Sequence, residues 1–242
     1  MAKIAIDAGH GLKTRGKRCM KSLDKNETRE WVLNDRVADA LDAYLKSAGH
    51  TTLRVDDPTG EKDVSLSERC KKANEWGADY YLAAHHNAGI NGGSGGGTVM
   101  YKYNGTGGKT KEAQEAIYKH AIERGGLKGN RSDGTKDANF QVLRETNMPA
   151  GLIECGFMDS STDIKYILDP AWSKKIALGI AEGICEAFGG TVKETSTPTE
   201  KAPEKASGKL YRVQAFAGSK AGAEATQKKL KAAGFDAIIK ED

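Results

Sequence analysis

The hydrophobic pattern of residues 1–190 alternates short apolar runs with longer segments that carry apolar residues at helical spacing. The short runs are typical of buried strands and lie at 2–6, 51–55, 79–84, 98–103 and 152–154. The longer segments predict helices over 24–47, 64–75, 110–124 and 171–187. This alternation predicts an α/β domain with a largely parallel central sheet flanked by helices.

The first long helix carries an apparent start signal. Asp24 and Glu27 have the spacing of a capping box, so we predict that the helix begins there. Its buried stripe is predicted to consist of Leu33, Val37, Leu41 and Tyr44. Glu30 lies only about 20° from Val37 around the helix axis, so the Glu30 side chain is expected to point inward.

Two stretches within the main domain are predicted to be loops. Residues 89–97 are rich in glycine but lack the Lys-Ser/Thr pair of a phosphate-binding loop, which predicts a mobile loop. Residues 125–138 are polar and glycine-containing, which predicts a second loop.

The composition changes sharply after residue 190. Residues 191–208 consist mainly of Thr, Pro, Glu, Lys and Ser and predict a flexible linker. Residues 209–242 carry apolar residues again and predict a strand, a helix and a second strand. We therefore predict a main domain at 1–190, a linker at 191–208 and a small β-α-β module at 209–242.

Charge and hydropathy argue against several classes of function for this 242-residue chain. The net charge is only +4, so we expect no nucleic-acid partner. No apolar run reaches membrane-spanning length, so we expect no membrane partner. The first residues lack the pattern of a secretory signal, which predicts synthesis in the cytoplasm without a signal peptide.

Cysteine spacing argues against a cysteine-based zinc cluster. The four cysteines, at positions 19, 70, 155 and 185, include no close C-x-x-C pair. We expect free thiols, although the sequence leaves a bridge between Cys19 and Cys70 open. Cys155 follows Glu154 in a predicted strand, so its side chain should lie on the opposite face, in the core.

Three predicted strands end at residues that can bind a metal or transfer a proton, namely His10, His85 and Glu154. Functional side chains in α/β proteins collect at the carboxyl edge of the sheet. Two histidines and one carboxylate would form a catalytic zinc site with one position left for water. The first long helix offers Glu27 and Glu30 as the carboxylate, and Glu30 is the one predicted to point inward.

At these residues the chain resembles the zinc-dependent N-acetylmuramoyl-L-alanine amidases of bacterial autolysins and phage endolysins, the amidase-3 type. The resemblance covers residues 1–188 and rests on motifs that keep the family's order and spacing. The motifs are Ile6-Asp7-Ala8-Gly9-His10-Gly11, Arg29-Glu30-Trp31-Val32-Leu33-Asn34, Ser65-Leu66-Ser67-Glu68-Arg69, Gly77-Ala78-Asp79, His85-His86-Asn87-Ala88, Leu143-Arg144-Glu145-Thr146 and Ile153-Glu154-Cys155-Gly156-Phe157.

The resemblance implies a role for each candidate residue. His10, Glu30 and His85 match the family's zinc ligands, and Glu154 matches its catalytic glutamate, the general base. The implied reaction is hydrolysis of the amide bond between the lactyl group of N-acetylmuramic acid and L-alanine of the peptidoglycan stem peptide. His86 departs from the family pattern, in which a small residue is common, and is an alternative ligand to His85.

Two further residues are candidates for binding the substrate. Arg144 either binds the stem peptide or forms an ion pair with Glu145 or Asp137. Asn87 is either a turn residue or a contact to the substrate. Two other functions stay open: a zinc peptidase that acts within the stem peptide, and a non-catalytic wall-binding protein on the same fold. The presence of all four implied zinc and catalytic residues favours the enzyme that acts on the bacterial cell wall.

Residues 209–242 resemble one half of the SPOR peptidoglycan-binding module. The matching residues include Tyr211-Arg212-Val213-Gln214-Ala215-Phe216 and Gly234-Phe235-Asp236-Ala237. The complete module has two such β-α-β halves, and a lone half of about 34 residues is below the size at which a core normally suffices. We therefore predict a homodimer in which a second chain supplies the other half.

Overall fold

A computed structural model describes residues 1–129 and 134–193, which belong to one compact unit, Met1–Glu194. The strands are β1 (Lys3–Ala8), β2 (Thr51–Arg54), β3 (Tyr80–Asn87), β4 (Val99–Tyr103), β5 (Thr135–Ala138) and β6 (Ala150–Phe157). The helices are α1 (Glu30–Ser47), α2 (Leu66–Trp76), α3 (Gly108–Gly125), α4 (Gln141–Arg144), α5 (Ile164–Ile167) and α6 (Pro170–Phe188). The predicted module at 209–242 and most of the predicted linker lie outside the described residues.

The strands form one six-stranded sheet in the order β2-β1-β3-β6-β4-β5. Strand β1 pairs in parallel with β2 and β3, β3 pairs in parallel with β6, and β4 pairs in parallel with β5. Strand β4 runs antiparallel to β6. The predicted largely parallel α/β sheet is therefore confirmed, and the carboxyl ends of β1, β3 and β6 lie side by side.

Side chains of β1 alternate between two layers of core. Ile4 and Ile6 join the layer formed with α1, α3 and α6. Ala5 joins the opposite layer, which includes residues of α2 and α4. Burial of both sheet faces is typical of parallel sheets and explains why β1 reads as a nearly continuous apolar run.

The predicted start of the first long helix was wrong, because α1 begins at Glu30. The Asp24 carboxylate accepts hydrogen bonds from the backbone N–H groups of Asn26, at 3.0 Å, and Thr28, at 2.7 Å, and so closes a turn. Glu27 has a φ of +47°, which a helix does not allow. The predicted stripe is largely confirmed, although Tyr44 is half-buried and Leu45 takes the fully buried position.

One of the two predicted loops is confirmed and the other needed correction. Within 125–138, Thr135–Ala138 forms strand β5 beside β4. The glycine-rich segment 89–97 forms the predicted loop, and two carboxylates accept hydrogen bonds from its backbone. Asp159 Oδ2 accepts from the three consecutive N–H groups of residues 89–91 at 2.7–2.8 Å, and Asp163 Oδ2 accepts from Gly97 at 2.7 Å. Helices α4 and α5, each four residues long, were not predicted.

All four cysteines are buried and free, so the open possibility of a bridge between Cys19 and Cys70 is not realised. Cys155 is completely buried in the core, as its position in the strand predicts. Among the described residues, no helix is long and apolar enough to cross a membrane.

Candidate metal and catalytic site

His10 lies in a tight turn directly after β1. Its φ is +69°, in the left-handed region that residues other than glycine rarely adopt. The preceding Gly9 donates its N–H to the carbonyl of Ala84 at 3.0 Å, which ties the turn to β3. A Cβ atom on Gly9 would lie 2.0 Å from Cε1 of His85. Glycine at this position therefore allows the His10 turn to approach the His85 ring.

Glu30 is placed by the start of α1 and is only 1% exposed. Its backbone N–H donates to the carbonyl of Lys17 at 3.1 Å, so the loop before the helix fixes its position. Its Oε1 atom lies 3.4 Å from Nε2 of His10 and 3.2 Å from Nδ1 of His85. The structure thus brings together the three residues that were predicted as metal ligands.

The donor set of His10, Glu30 and His85 fits a metal ion. One ligand atom from each residue lies within 4.8 Å of the others. Glu30 Oε2 is buried without a hydrogen-bond partner among the described residues, and its nearest cation is Nζ of Lys17 at 3.7 Å. Two imidazoles and one carboxylate are the ligand set of many catalytic zinc sites.

The charge state of this cluster suits a cation. Burial alone would raise the pKa of Glu30, but the hydrogen bonds with His10 and His85 outweigh burial and hold that pKa well below its usual range. Glu30 is therefore an anion at neutral pH. For His85, burial by itself would lower the pKa. Glu30 and Glu154 raise the His85 pKa by more, so its net direction is upward.

The alternation of β3 separates His85 from His86. His86 Nδ1 lies 2.8 Å from Oδ1 of Asn34, on the α1 side of the sheet, and burial lowers the His86 pKa to about 3. Asn34 also donates its Nδ2 to the carbonyl of Gly9 at 3.0 Å. The geometry thus groups His85 with His10 and Glu30, while the neutral His86 packs against Asn34.

Glu154 lies beside the cluster without belonging to it. Its Cα is the register partner of the His85 Cα in the pairing of β3 with β6. Its Oε2 atom is buried without a hydrogen-bond partner among the described residues. Burial raises the pKa of Glu154 to about 7, although the nearby His85 partly offsets that effect. A carboxyl group with this pKa can both accept and release a proton near neutral pH.

The two predicted substrate-binding residues have local partners. Asn87 ends β3, and its Oδ1 accepts from the backbone N–H of Ala88 at 2.8 Å, as a turn residue would. Arg144 donates to Oδ1 of Asn139 at 2.6 Å and pairs with Glu145 at 3.2 Å. The Arg144 side chain is exposed, and none of its described contacts joins it to the His10–Glu30–His85 cluster.

A cavity of ≈ 330 Å³ opens beside the two histidines. Its wall includes His10 and His85 together with Asp63, Leu66 and Arg69 from the start of α2. The sequence analysis assigned no role to Asp63 or Arg69. Arg69 lies in the motif from Ser65 to Arg69, whose chemical purpose is not visible without the fold, and Asp63 lies just before that motif.

Comparisons with known proteins agree on one family. Residues 4–186 match the protein family described as N-acetylmuramoyl-L-alanine amidase. The chain is 34% identical over 240 residues to the N-acetylmuramoyl-L-alanine amidase CwlM of Bacillus licheniformis, with 99% of this chain and 85% of CwlM aligned. It is also 34% identical to the sporulation-specific N-acetylmuramoyl-L-alanine amidase of Bacillus subtilis, with 99% and 84% aligned.

Solved structures show the same architecture. The N-acetylmuramoyl-L-alanine amidase of Clostridium difficile 630 superposes with a TM-score of 0.67 at 28% identity, covering 76% of this chain and 94% of that one. The catalytic domain of CwlV from Bacillus (Paenibacillus) polymyxa also superposes with a TM-score of 0.67, at 26% identity, covering 77% and 97%.

Proposed function

Because the chain belongs to the N-acetylmuramoyl-L-alanine amidase family and is an enzyme of peptidoglycan hydrolysis, we propose how its residues perform the cleavage. The scissile bond is the amide between the lactyl group of N-acetylmuramic acid and L-alanine of the stem peptide. His10, Glu30 and His85 hold a zinc ion, and Glu154 is the general base. The observation that carries this proposal is the buried Glu30 carboxylate, which has two histidine nitrogens within 3.4 Å of Oε1 and an Oε2 without a hydrogen-bond partner among the described residues.

Zinc bound by these residues would polarise the scissile carbonyl and lower the pKa of bound water from about 15.7 to about 7. Glu154 is suited to the proton transfers, because its carboxylate is not one of the three ligands. Glu154 accepts a proton from the attacking water as the water oxygen bonds to the carbonyl carbon, and it passes that proton to the nitrogen of the leaving L-alanine. The bond between the carbonyl carbon and that nitrogen then breaks, leaving a lactyl carboxyl group and a free amino group.

The substrate contacts belong to the same proposal. Arg144 is exposed and pairs with one carboxylate among the described residues, Glu145, and we propose that its guanidinium binds a carboxylate of the stem peptide. Asn87 uses its Oδ1 in the turn, and among the described residues its Nδ2 has no hydrogen bond, so we propose that Nδ2 donates to the substrate. Both residues are proposed to bind peptidoglycan.

We refer to residues 209–242 as the tail. We propose that the tail binds peptidoglycan and that it holds two chains together as a homodimer. The alignment with the Bacillus licheniformis enzyme supports a shared tail, because it covers 240 residues and extends past position 186, where the family match ends. Two weak attachments joined by a linker bind a polymer more tightly than one. Val192, at the start of the predicted linker, packs against the core of the described unit.

The decisive experiment is the identification of the new chain ends in digested peptidoglycan. Purified cell wall is incubated with the enzyme, and the released fragments are analysed by amino-group labelling and mass spectrometry. Free L-alanine amino groups together with lactyl carboxyl groups are expected. New amino groups on other stem-peptide residues would instead identify a zinc peptidase. Loss of hydrolysis on chelation and its return with Zn²⁺ would support the metal.

A further inference from the structure

The His10 turn is held by a single buried guanidinium. Arg69 donates to the carbonyl of Ala8 at 2.8 Å through Nη1 and to the carbonyl of His10 at 2.9 Å through Nη2. These two carbonyls lie on either side of Gly9 and point to the same donor. Since His10 adopts a left-handed φ of +69°, the turn needs such surrounding contacts to persist.

Arg69 is itself fixed by contacts on all sides. Its Nε donates to the carbonyl of Val64 at 2.7 Å, and its Nη1 forms a buried ion pair with Asp7. The other oxygen of Asp7 accepts from the hydroxyl of Tyr81 at 2.6 Å. With 1% of its surface exposed, the guanidinium has no room to move without leaving a buried carboxylate unpaired.

A second path of hydrogen bonds reaches the other end of the turn. The N–H of Gly11 donates to Oγ1 of Thr14 at 2.9 Å, and the Thr14 hydroxyl donates to Oδ2 of Asp63 at 2.6 Å. Asp63 Oδ1 lies 3.3 Å from Nη2 of Arg69. The direct hydrogen bond from Arg69 to the His10 carbonyl is the first path, and the chain through Asp63 and Thr14 to Gly11 is the second. Together they close a ring that includes the His10 backbone, and Arg69 belongs to both paths.

We propose that Arg69 is a positioning residue, which holds His10 with its Nε2 directed at Glu30 and thereby sets the affinity of the metal site. The inference rests on the proposed zinc site. Lysine cannot replace arginine here, because one ammonium group cannot match the guanidinium donors, which reach three carbonyls and two carboxylates. Mutation of a residue that contacts a metal ligand, rather than the metal itself, typically lowers the metal affinity by about 10–100-fold.

The test compares Arg69→Lys with a matched control, Arg54→Lys, in the full chain. Arg54 forms ion pairs with Asp35 and Asp56 beside the edge strand β2, and none of its described contacts is to His10, Glu30 or His85. Zinc affinity is measured by competition with a chromophoric chelator, and the visible spectrum of the Co²⁺-loaded protein reports ligand geometry. We expect Arg69→Lys to bind zinc about 10–100-fold more weakly with an altered Co²⁺ spectrum. Arg54→Lys should lower the melting temperature while its zinc affinity stays that of the wild type.

A milder variant covers the case in which Arg69→Lys does not fold. Thr14→Val removes the hydroxyl from the second path at a half-buried position and should weaken zinc binding severalfold without loss of fold. Unchanged zinc affinity in folded Arg69→Lys, or in Thr14→Val if the former does not fold, would overturn the positioning role and leave the metal site intact. A wild-type protein that binds no zinc would overturn both.

Discussion

Glu154 on β6 and His85 on β3 are register partners, so the parallel pairing of two central strands sets the proposed general base beside a proposed metal ligand. Their proximity follows from backbone pairing and not from a flexible loop. Both side chains therefore keep their relative positions when either one is replaced by a residue of similar size. This permits separate tests of metal binding and of proton transfer.

Glu154→Gln should separate these two functions. The change is nearly isosteric and leaves the three-ligand cluster intact, so zinc content and melting temperature should stay close to those of the wild type. Hydrolysis of muropeptides should fall by about 10²–10⁴-fold, because the amide cannot accept the proton. Glu115→Gln, at an exposed site on α3 where Glu115 pairs with Lys111, is the control and should retain full activity. Activity within threefold of the wild type for Glu154→Gln would reject the assignment.

The choice of His85 over His86 can be tested by metal analysis. His85→Ala removes a nitrogen that lies 3.2 Å from Oε1 of Glu30 and should reduce bound zinc well below one ion per chain. His86→Ala removes a contact to Asn34 and should lower stability while zinc stays near one per chain. Zinc is quantified after dialysis of each folded protein. The reverse pattern would make His86 the ligand.

Gly9→Ala should weaken metal binding, because the added methyl group would occupy space taken by the His85 ring. The new Cβ would lie 2.0 Å from the His85 ring, which must then shift. Overpacking of this kind costs about 1–3 kcal/mol, and zinc affinity should fall as well. Gly107→Ala is the matched control, because a Cβ there meets nothing within 4 Å. Calorimetry and zinc titration are the measurements, and wild-type zinc affinity in Gly9→Ala would contradict the close packing of the turn on His85.

Asp159→Asn should loosen the glycine-rich segment. The Asp159 carboxylate accepts from three consecutive N–H groups, and hydrogen bonds to charged groups contribute about 1.5–3 kcal/mol. We expect a lower free energy of unfolding and faster hydrogen exchange at residues 89–91. Glu75→Gln, which disturbs an exposed i,i+4 pair with Lys71, should change the stability by less than about 0.5 kcal/mol. Unchanged exchange at 89–91 would show that the segment is held by other contacts.

Removal of the tail should change association but not catalysis. A chain that ends after Glu194 contains all the proposed ligands and Glu154, so it should hydrolyse soluble muropeptides like the full chain. Light scattering should show a dimer for the full chain and a monomer for the shortened one. Sedimentation with intact cell wall should retain less of the shortened protein. A monomeric full chain at micromolar concentration would remove the proposed dimer.

The sheet and the proximity of His10, Glu30 and His85 were predictable because both follow from local patterns. Buried strands of the β1 type appear as continuous apolar runs, and His10, Glu30 and His85 carry the spacing of a known family. The start of α1 was not predictable from a capping pattern, because Asp24 uses its carboxylate to close a turn and Glu27 turns the chain through a left-handed backbone. The proposed role of Arg69 depends on its contacts with Asp7 and His10, which precede it by 62 and 59 positions. No local sequence pattern contains contacts over such a distance.

The burial of the four thiols has a consequence for the place where this enzyme works. Peptidoglycan lies outside the cytoplasm, where no reducing system keeps cysteines reduced. The thiolate is the form that is oxidised, and burial raises the pKa of Cys19 to about 12 and that of Cys70 to about 11, which keeps both protonated. The folded catalytic unit therefore needs neither an oxidant to mature nor a reductant to survive, and it can move from one redox environment to the other unchanged.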